Sequence, residues 1–279
     1  MTFSHSISIP IDSFIVLMES TPITFGFNEK VDSLDFVVSS KALDSVEFDF
    51  IRGDSSLSVM LQPPFASHDS ITINFSYLED KAGLSTVDIA YTYTTPILGD
   101  YDFDSKITYN DLWDLVENWE MKNFNYELGP VSGQVPHFIS IPDSKFDIED
   151  GMAFVQIWSW YQKEYGQIVE DTVMIGKPLN IAQLGNELSI FIDDSIASGQ
   201  IQFSNNHIDS RLRFSTKSYD GAMYLSHQNP EKGYSILEFA RPKSMAKDTI
   251  HVTADEESKL KIYYKFYGRD KKEIQRGHT

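Results

Sequence analysis

The feature that most constrains the fold is an acidic loop that runs directly into a helical segment. The loop spans residues 100–111 and carries aspartates at its first, third, fifth and twelfth positions: Asp100, Asp102, Asp104 and Asp111. Position seven (Lys106) offers a backbone carbonyl, and position nine (Thr108) offers a hydroxyl or a bound water. A hard cation with about six to eight ligands requires such oxygens. Because clustered carboxylates repel one another without a cation, the sequence predicts one calcium ion bound by these six residues.

The segment after the loop has the apolar periodicity of a helix. Spacings of three, four and seven predict a helix over residues 112–121 with one face in a core, formed by Leu112, Leu115, Val116 and Trp119. At loop position six, Ser105 stands where glycine is usual. A left-handed backbone costs a serine about 1 kcal/mol there, which weakens the match to a calcium loop without excluding it.

A second loop and helix repeat the first. Residues 143–150 align on residues 104–111 at a constant offset of 39, and the alignment continues into the helix, where Trp158 matches Trp119. The second helix has its own apolar face: Phe154, Val155, Trp158 and Tyr161. We expect the two faces to pack together. Positions one and three of the second loop are Ile139 and Ile141, which have no side-chain oxygen. The loop at Asp143–Asp150 is therefore predicted to be degenerate as a calcium site.

Two loop-helix units in tandem, with the helix only after each loop, resemble a dockerin-type calcium module over residues 98 to 165. The resemblance implies calcium binding and a possible cohesin partner. A partner-binding groove would use Trp113, Trp119 or Trp160, although tryptophans at helical spacing more often belong to a core. A separate cohesin-like protein and a neighbouring domain of the same polypeptide are therefore both open as partners.

Composition limits the functional class. The chain has 279 residues, no cysteine and a formal charge of −18, which argues against nucleic acid as a partner because a phosphate backbone needs clustered Lys and Arg. No apolar run reaches the roughly 18 residues of a membrane span. The seven histidines are scattered, and no nucleophile or phosphate-binding motif is present. We therefore expect a protein that is not an enzyme, while a pair of glycosidase carboxylates among the 41 acids cannot be chosen from sequence alone.

Residues 1–97 have the period-two alternation of an antiparallel β-sandwich, for example at Ile23, Phe25 and Phe27. Two motifs, residues 23–32 and the turn Leu78-Glu79-Asp80-Lys81-Ala82-Gly83, resemble the bacterial Ig-like domain of surface-layer type. That resemblance implies a spacer or adhesive module. The last strand passes through Pro96 directly to the calcium loop without a flexible linker.

Residues 166–279 return to short alternating apolar runs, which predict a second β-sandwich. Residues 198–203 and 212–214 loosely resemble a cohesin-like sandwich. The acidic run Asp255-Glu256-Glu257 is predicted to be a solvated hairpin turn. A glycan platform is an alternative role for this region, with aromatic rings from Tyr219, Tyr224, Tyr234 and Tyr263.

The predicted fold class is mostly β with a small α insert: two antiparallel sandwiches flank a dockerin-like loop-helix pair. The predicted function is a calcium-stabilised scaffold, stalk or adhesin segment of a bacterial secreted or cell-surface protein, in which the ion fixes the start of the first helix and the angle between the sandwiches. The alternatives are a module that recruits a cohesin partner and a glycan-binding accessory region of a secreted carbohydrate-active enzyme. The N-terminus lacks the pattern of an export signal, so we expect that signal upstream of a fragment.

Overall fold

The computed structural model describes residues 5–7, 15–86, 88–167, 173–204, 211–216, 221–241, 247–254 and 260–279. The described part is mostly β, with antiparallel sheets and two α-helices, which confirms the predicted fold class. The acidic run at residues 255–257 and Tyr219 lie outside the described residues. The chain divides into two compact units, Met1–Leu98 with Leu128–Asp143, and Gly99–Glu127 with Ser144–Thr279.

The first unit is a two-layer sandwich of antiparallel strands. One sheet has the order β1-β2-β5-β4, and in the other β6 pairs with β3, β7 and β8. A separate two-stranded ribbon is formed by β9 and β10. The strands are β1 (His5–Ile7), β2 (Thr21–Phe27), β3 (Val31–Ser40), β4 (Phe48–Arg52), β5 (Ser56–Leu61), β6 (Ser70–Asp80), β7 (Ser85–Thr86), β8 (Ile89–Thr94), β9 (Val131–Ser132) and β10 (Ile139–Ser140).

Alternation along the strands builds the core of this unit. Leu57, Val59 and Leu61 of β5 are fully buried and pack against residues from both sheets, as period-two patterning predicts. Phe50 is 54% exposed and lies on β4, the edge strand of its sheet among the described residues. Strand β3 was not predicted, since residues up to Asp32 were assigned to a turn.

The Leu78–Gly83 motif forms the predicted turn. The Asp80 carboxylate accepts hydrogen bonds from the backbone N–H groups of Ala82 and Leu84, each at 2.8 Å. Gly83 has a φ of 82°, a left-handed conformation that favours glycine. The turn therefore depends on one carboxylate and one glycine that the sequence motif contains.

The second unit contains both helices and a second sandwich. One sheet has the order β11-β12-β17-β14 and the other β15-β16-β13-β18-β19, with a shared apolar core between them. The elements are α1 (Tyr109–Met121), α2 (Ile148–Tyr165), β11 (Asn180–Leu184), β12 (Glu187–Ile192), β13 (Ser198–Ser204), β14 (Leu212–Thr216), β15 (Met223–Asn229), β16 (Tyr234–Ala240), β17 (Asp248–Ala254), β18 (Lys261–Tyr267) and β19 (Glu273–His278).

Both helices pack on the five-stranded sheet. α1 contacts β16 and β13, and α2 contacts β15. The Trp158 indole N–H of α2 donates to the buried carboxylate of Glu238 on β16, at 2.8 Å. The helices also meet where the Trp119 ring lies over Gly151. The two predicted faces thus meet at this point, and each helix also packs on the sheet, a contact that the sequence pattern did not indicate. Within the described residues, no helix is long and apolar enough to span a membrane.

Candidate metal centre

The structure brings three of the predicted ligands together. Asp100, Asp102 and Asp104 each place a carboxylate oxygen within 4.8 Å of the others. Calcium binds oxygens at about 2.3–2.6 Å, so two ligands of one ion lie at most about 5 Å apart. Asp100 is 5% exposed, whereas the other two face solvent. The donor set and its spacing therefore fit a hard cation.

The backbone of the loop is folded around these carboxylates. Asp100 accepts hydrogen bonds from the N–H groups of Asp104 (3.2 Å) and Ser105 (2.9 Å). The Asp104 carboxylate accepts from the N–H of Lys106 at 2.8 Å. Ser105 has a φ of 64°, the left-handed conformation anticipated at position six. The loop thus holds its aspartates through its own N–H groups.

Asp111 connects the loop to the start of α1. Its carboxylate accepts from the N–H of Thr108 at 2.8 Å and from the N–H of Tyr101 at 2.9 Å. Thr108 is the N-cap of α1, and its hydroxyl accepts from the N–H of Asn110 at 3.2 Å. Together Thr108 and Asp111 form a capping box, which satisfies N–H groups that a helix start leaves without partners. The helix therefore begins three residues before the predicted start at Leu112.

Burial, and to a smaller extent repulsion between neighbouring carboxylates, raises the pKa values of the loop aspartates. The pKa of Asp100 is raised to about 6, chiefly by burial and also by the charges of Asp104 and Asp102, while the Ser105 N–H acts in the opposite direction. The pKa of Asp111 is raised to about 8, chiefly by burial, with smaller contributions from Asp102 and Asp100. Burial and Asp104 also raise the pKa of Asp102. A bound cation would favour the charged form of all these groups.

For the remaining two predicted ligands, Lys106 and Thr108, the structure shows side-chain contacts other than metal binding. The side chain of Lys106 forms a solvent-exposed ion pair with Asp104 at 3.6 Å, and its role in the predicted site is that of a backbone carbonyl. The hydroxyl of Thr108 is engaged in the helix cap. Calcium binding through the Lys106 carbonyl and the Thr108 hydroxyl or its water stays a prediction.

Tyr101, which is in the loop, and Tyr161, which is on α2, were not predicted from the sequence as site residues. Tyr101 donates its hydroxyl to the Tyr126 carbonyl at 2.8 Å, and burial raises its pKa well above the usual value. On α2, burial raises the pKa of Tyr161, with further contributions from Asp104 and Asp100. The helical face of Tyr161 was visible in the sequence, but its proximity to the loop depends on how α2 packs, which no local pattern gives.

The three tryptophans of the predicted partner groove do not form an exposed surface: Trp113 is buried, and Trp119 and Trp160 are half-buried. Trp113 is 2% exposed, and the half-buried Trp119 ring stacks on Phe146 with a centroid distance of 5.6 Å. Trp160 is half-buried and packs edge-to-face on Tyr165. A docking face that needs Trp113 would require local opening of α1.

The described tyrosines of the predicted glycan platform do not form an exposed row. Tyr234 is buried, and its hydroxyl donates to the Gln162 carbonyl at 3.2 Å. Tyr224 packs against the sandwich core and stacks on Phe239. Tyr263 is half-buried on β18. The platform geometry proposed from sequence is therefore absent from these three described residues.

Comparisons with known proteins do not identify a family. No protein-family model and no curated protein matches the chain. The secreted serine protease VesC from Vibrio cholerae is 9% identical with a TM-score of 0.26, and the match covers 91% of this chain and 51% of that one. The S-layer protein rSbsC(31-844) is 9% identical with a TM-score of 0.23, and the match covers 94% of this chain and 53% of that one. The chain spans about half the length of both, and TM-scores this low carry no inference about fold or function.

Proposed function

We propose that this chain is a calcium-stabilised structural segment of a secreted or cell-surface multidomain protein. Its role is that of a scaffold, stalk or adhesin segment, and the proposal assigns it no catalytic residues. The partners that the proposal implies are other domains of the same polypeptide.

The observation that carries the proposal is the convergence of Asp100, Asp102 and Asp104 within 4.8 Å at the start of α1. Three like charges at this separation oppose folding of the loop unless a cation lies between them. Burial of the charged carboxylates adds a second cost, since it is the main cause of the raised pKa values of Asp100 and Asp111. A divalent cation supplies positive charge and removes this cost, so the ion and the folded loop stabilise each other.

Within the proposed site, each residue has a defined task. Asp100, Asp102 and Asp104 supply carboxylate oxygens, and Asp111 supplies a further carboxylate from the first turn of α1. Lys106 supplies a carbonyl, and Thr108 supplies a hydroxyl or a water. Because Asp111 also closes the capping box, a cation held by these residues fixes the position of the helix start.

Extracellular localisation is part of the proposal and is supported by the chemistry of the loop. Calcium modules that work outside cells bind the ion with a Kd of about 10⁻⁴ to 10⁻³ M, whereas cytosolic sensors bind at about 10⁻⁷ to 10⁻⁵ M. A serine at position six favours the weaker class, since its left-handed backbone opposes closure of the loop. A measured Kd in the cytosolic range would contradict this part of the proposal.

The deciding experiment is a calcium titration by calorimetry, combined with thermal unfolding in calcium and in chelator. We expect one ion per chain and a stabilisation of about 2.7 kcal/mol at a hundredfold excess of calcium over Kd. Asp104→Ala is expected to abolish both the binding heat and the stabilisation, because it removes a central ligand.

The matched control is Asp143→Ala. Asp143 occupies the same position, five, of the second loop, and this variant should keep one ion per chain with unchanged affinity. Absence of calcium binding in the wild type would overturn the proposal. So would retention of binding in Asp104→Ala together with its loss in Asp143→Ala.

A further inference from the structure

The register of the five-stranded sheet in the second unit places four polar side chains in one row. Gln200 on β13 lies opposite Glu238 on β16 and opposite Lys265 on β18. Lys265 in turn lies opposite Arg276 on β19. Residues directly opposite each other in antiparallel strands point to the same face. This face is the one away from the apolar core, since the alternate residues Ile201 and Phe266 are in that core.

The helices cover only one end of this row. Trp158 and Gln162 of α2 hydrogen-bond to Glu238, at 2.8 and 3.3 Å. Beside them, Tyr109 of α1 stacks on Tyr267, and the two hydroxyls are 2.8 Å apart. The other end of the row opens into a cavity of about 180 Å³, whose wall includes Tyr109, Gln200, Gln202, Tyr263, Lys265 and Arg276.

The size of the cavity limits what it can hold. One ordered water needs only about 10–15 Å³ of such volume, whereas pockets for drug-sized ligands run from about 300 to 1,000 Å³. A volume of about 180 Å³ lies between these values and suits a ligand with a single ring.

The charge of the cavity selects an anion. The described residues that line the cavity include two cations, Lys265 and Arg276, and no carboxylate. Both cations also form ion pairs with Glu273, which lies outside the lining. A guanidinium group binds a carboxylate through two parallel N–H groups, which gives both affinity and orientation.

The amides on the cavity wall are held in a fixed orientation. Gln200 donates its side-chain N–H to Glu238 at 2.7 Å, and its carbonyl oxygen accepts from the amide of Gln202 at 2.9 Å. Gln202 also donates to the Gln167 carbonyl at 3.3 Å. Because Glu238 is fully buried and receives these donors, the chain of amides is pre-organised. Amides and phenols placed in this way suit a ligand with several hydroxyl groups.

We propose that this cavity binds a small polyhydroxylated carboxylate of the size of one hexuronic acid. Lys265 and Arg276 bind the carboxylate group, the Gln200 and Gln202 amides and the Tyr263 hydroxyl face the ligand hydroxyls, and the Tyr109 ring forms the adjoining wall. This site differs from the sequence-based glycan platform, of which only Tyr263 takes part. None of the proposed calcium ligands lines the cavity, so the two proposals can be tested independently.

The test is a titration of the full chain with sodium glucuronate, followed by calorimetry and by amide chemical shifts. Glucose, acetate and phosphate serve as comparison probes. We expect saturable binding of glucuronate with shifts on β18 and β19. Glucose lacks the carboxylate and acetate lacks the hydroxyls, so each should bind at least about tenfold more weakly.

Two charge-removing variants on the same hairpin locate the site. Lys265→Gln removes a cation that lines the cavity, and we expect about a tenfold loss of glucuronate affinity. Lys272→Gln removes an exposed cation that pairs with Asp270 and does not line the cavity, and we expect no change. The proposal is overturned by absence of glucuronate binding, by equal losses in the two variants, or by phosphate, acetate or glucose binding as tightly as glucuronate.

Discussion

The two loop-helix segments enter their helices through the same backbone conformation. Ser105 in the first has a φ of 64°, and Ser144, its counterpart at the offset of 39, has a φ of 63°. Each helix then begins with a capping box, closed by Asp111 in α1 and by Asp150 in α2. The left-handed serine and the cap are therefore features of both helix starts, whichever side chains precede them.

The segments differ in the carboxylate that accepts the N–H of this serine. In the first, the acceptor is Asp100 at loop position one. In the second, Ile139 stands at position one, and the N–H of Ser144 donates to both oxygens of Glu127, each at 3.0 Å. The second loop thus keeps the acceptor while lacking the aspartates of positions one and three. The comparison separates two tasks of Asp100, which are to hold the turn and to bind the ion.

The largest predicted effect comes from mutations that separate the two tasks of Asp100, holding the turn and binding the ion. Asp100→Ala removes both, so in excess calcium it should lose about 2.7 kcal/mol of ion-linked stability. It should lose a further 1–3 kcal/mol, roughly, because the Ser105 N–H loses its acceptor. Glu127→Ala removes the acceptor of the Ser144 N–H and no proposed calcium ligand, so its loss should contain no ion-linked part. Urea unfolding in calcium and in chelator measures both.

The two variants should differ in how their stability depends on calcium. The loss in Glu127→Ala should be equal in calcium and in chelator, whereas the loss in Asp100→Ala should shrink in chelator. Equal behaviour of the two variants in both conditions would show that the first loop, like the second, has only a structural acceptor.

A second effect concerns pH. The folded-state pKa values of Asp100 and Asp111, about 6 and about 8, lie above the ordinary aspartate value of 3.8. In chelator, the folded state therefore binds more protons than the unfolded state between about pH 4 and pH 8. The stability present below pH 4 is lost as the pH rises through these values. At about 1.4 kcal/mol per unit for each group, we expect a decrease of roughly 5 kcal/mol between pH 5 and pH 8, most of it from Asp111.

Calcium should reverse this trend, because the ion replaces the protons on the carboxylates and binds more tightly at higher pH. Thermal unfolding at pH 5 and pH 8, with and without chelator, checks both signs. Asp111→Asn is the control, since it removes the group with the higher pKa and should flatten the profile above about pH 6. A profile in chelator that rises with pH would contradict the raised pKa values of these two buried carboxyl groups.

Local patterns predicted most of the strands and the three converging aspartates. The alternation at Leu57 to Leu61 corresponds to β5, and the two-residue spacing of Asp100, Asp102 and Asp104 corresponds to one cluster. Both are short-range features, in which side-chain period and backbone geometry are coupled directly.

Features that depend on distant residues escaped prediction. Glu127 lies 17 residues before Ser144, and no periodicity connects a carboxylate to an N–H at that separation. Strand β19 has no apolar alternation in its sequence, since its place is set by pairing with β18. The bond from Trp158 to Glu238 spans 80 residues. In each case the partner is chosen by the tertiary fold rather than by the local sequence.

The smallest predicted effect tests whether the two turns are equivalent. Glycine adopts a left-handed backbone without the strain that a β-carbon causes, so Ser105→Gly and Ser144→Gly should each stabilise the protein by about 0.5–1 kcal/mol in chelator. Ser→Ala at the same positions retains the strain and should give no gain. In calcium, only Ser105→Gly should also tighten ion binding, because its strain opposes closure of a loop that holds the ion. An affinity gain from Ser144→Gly would instead mean that the second loop contributes to calcium binding, and the distinction between the loops would fail.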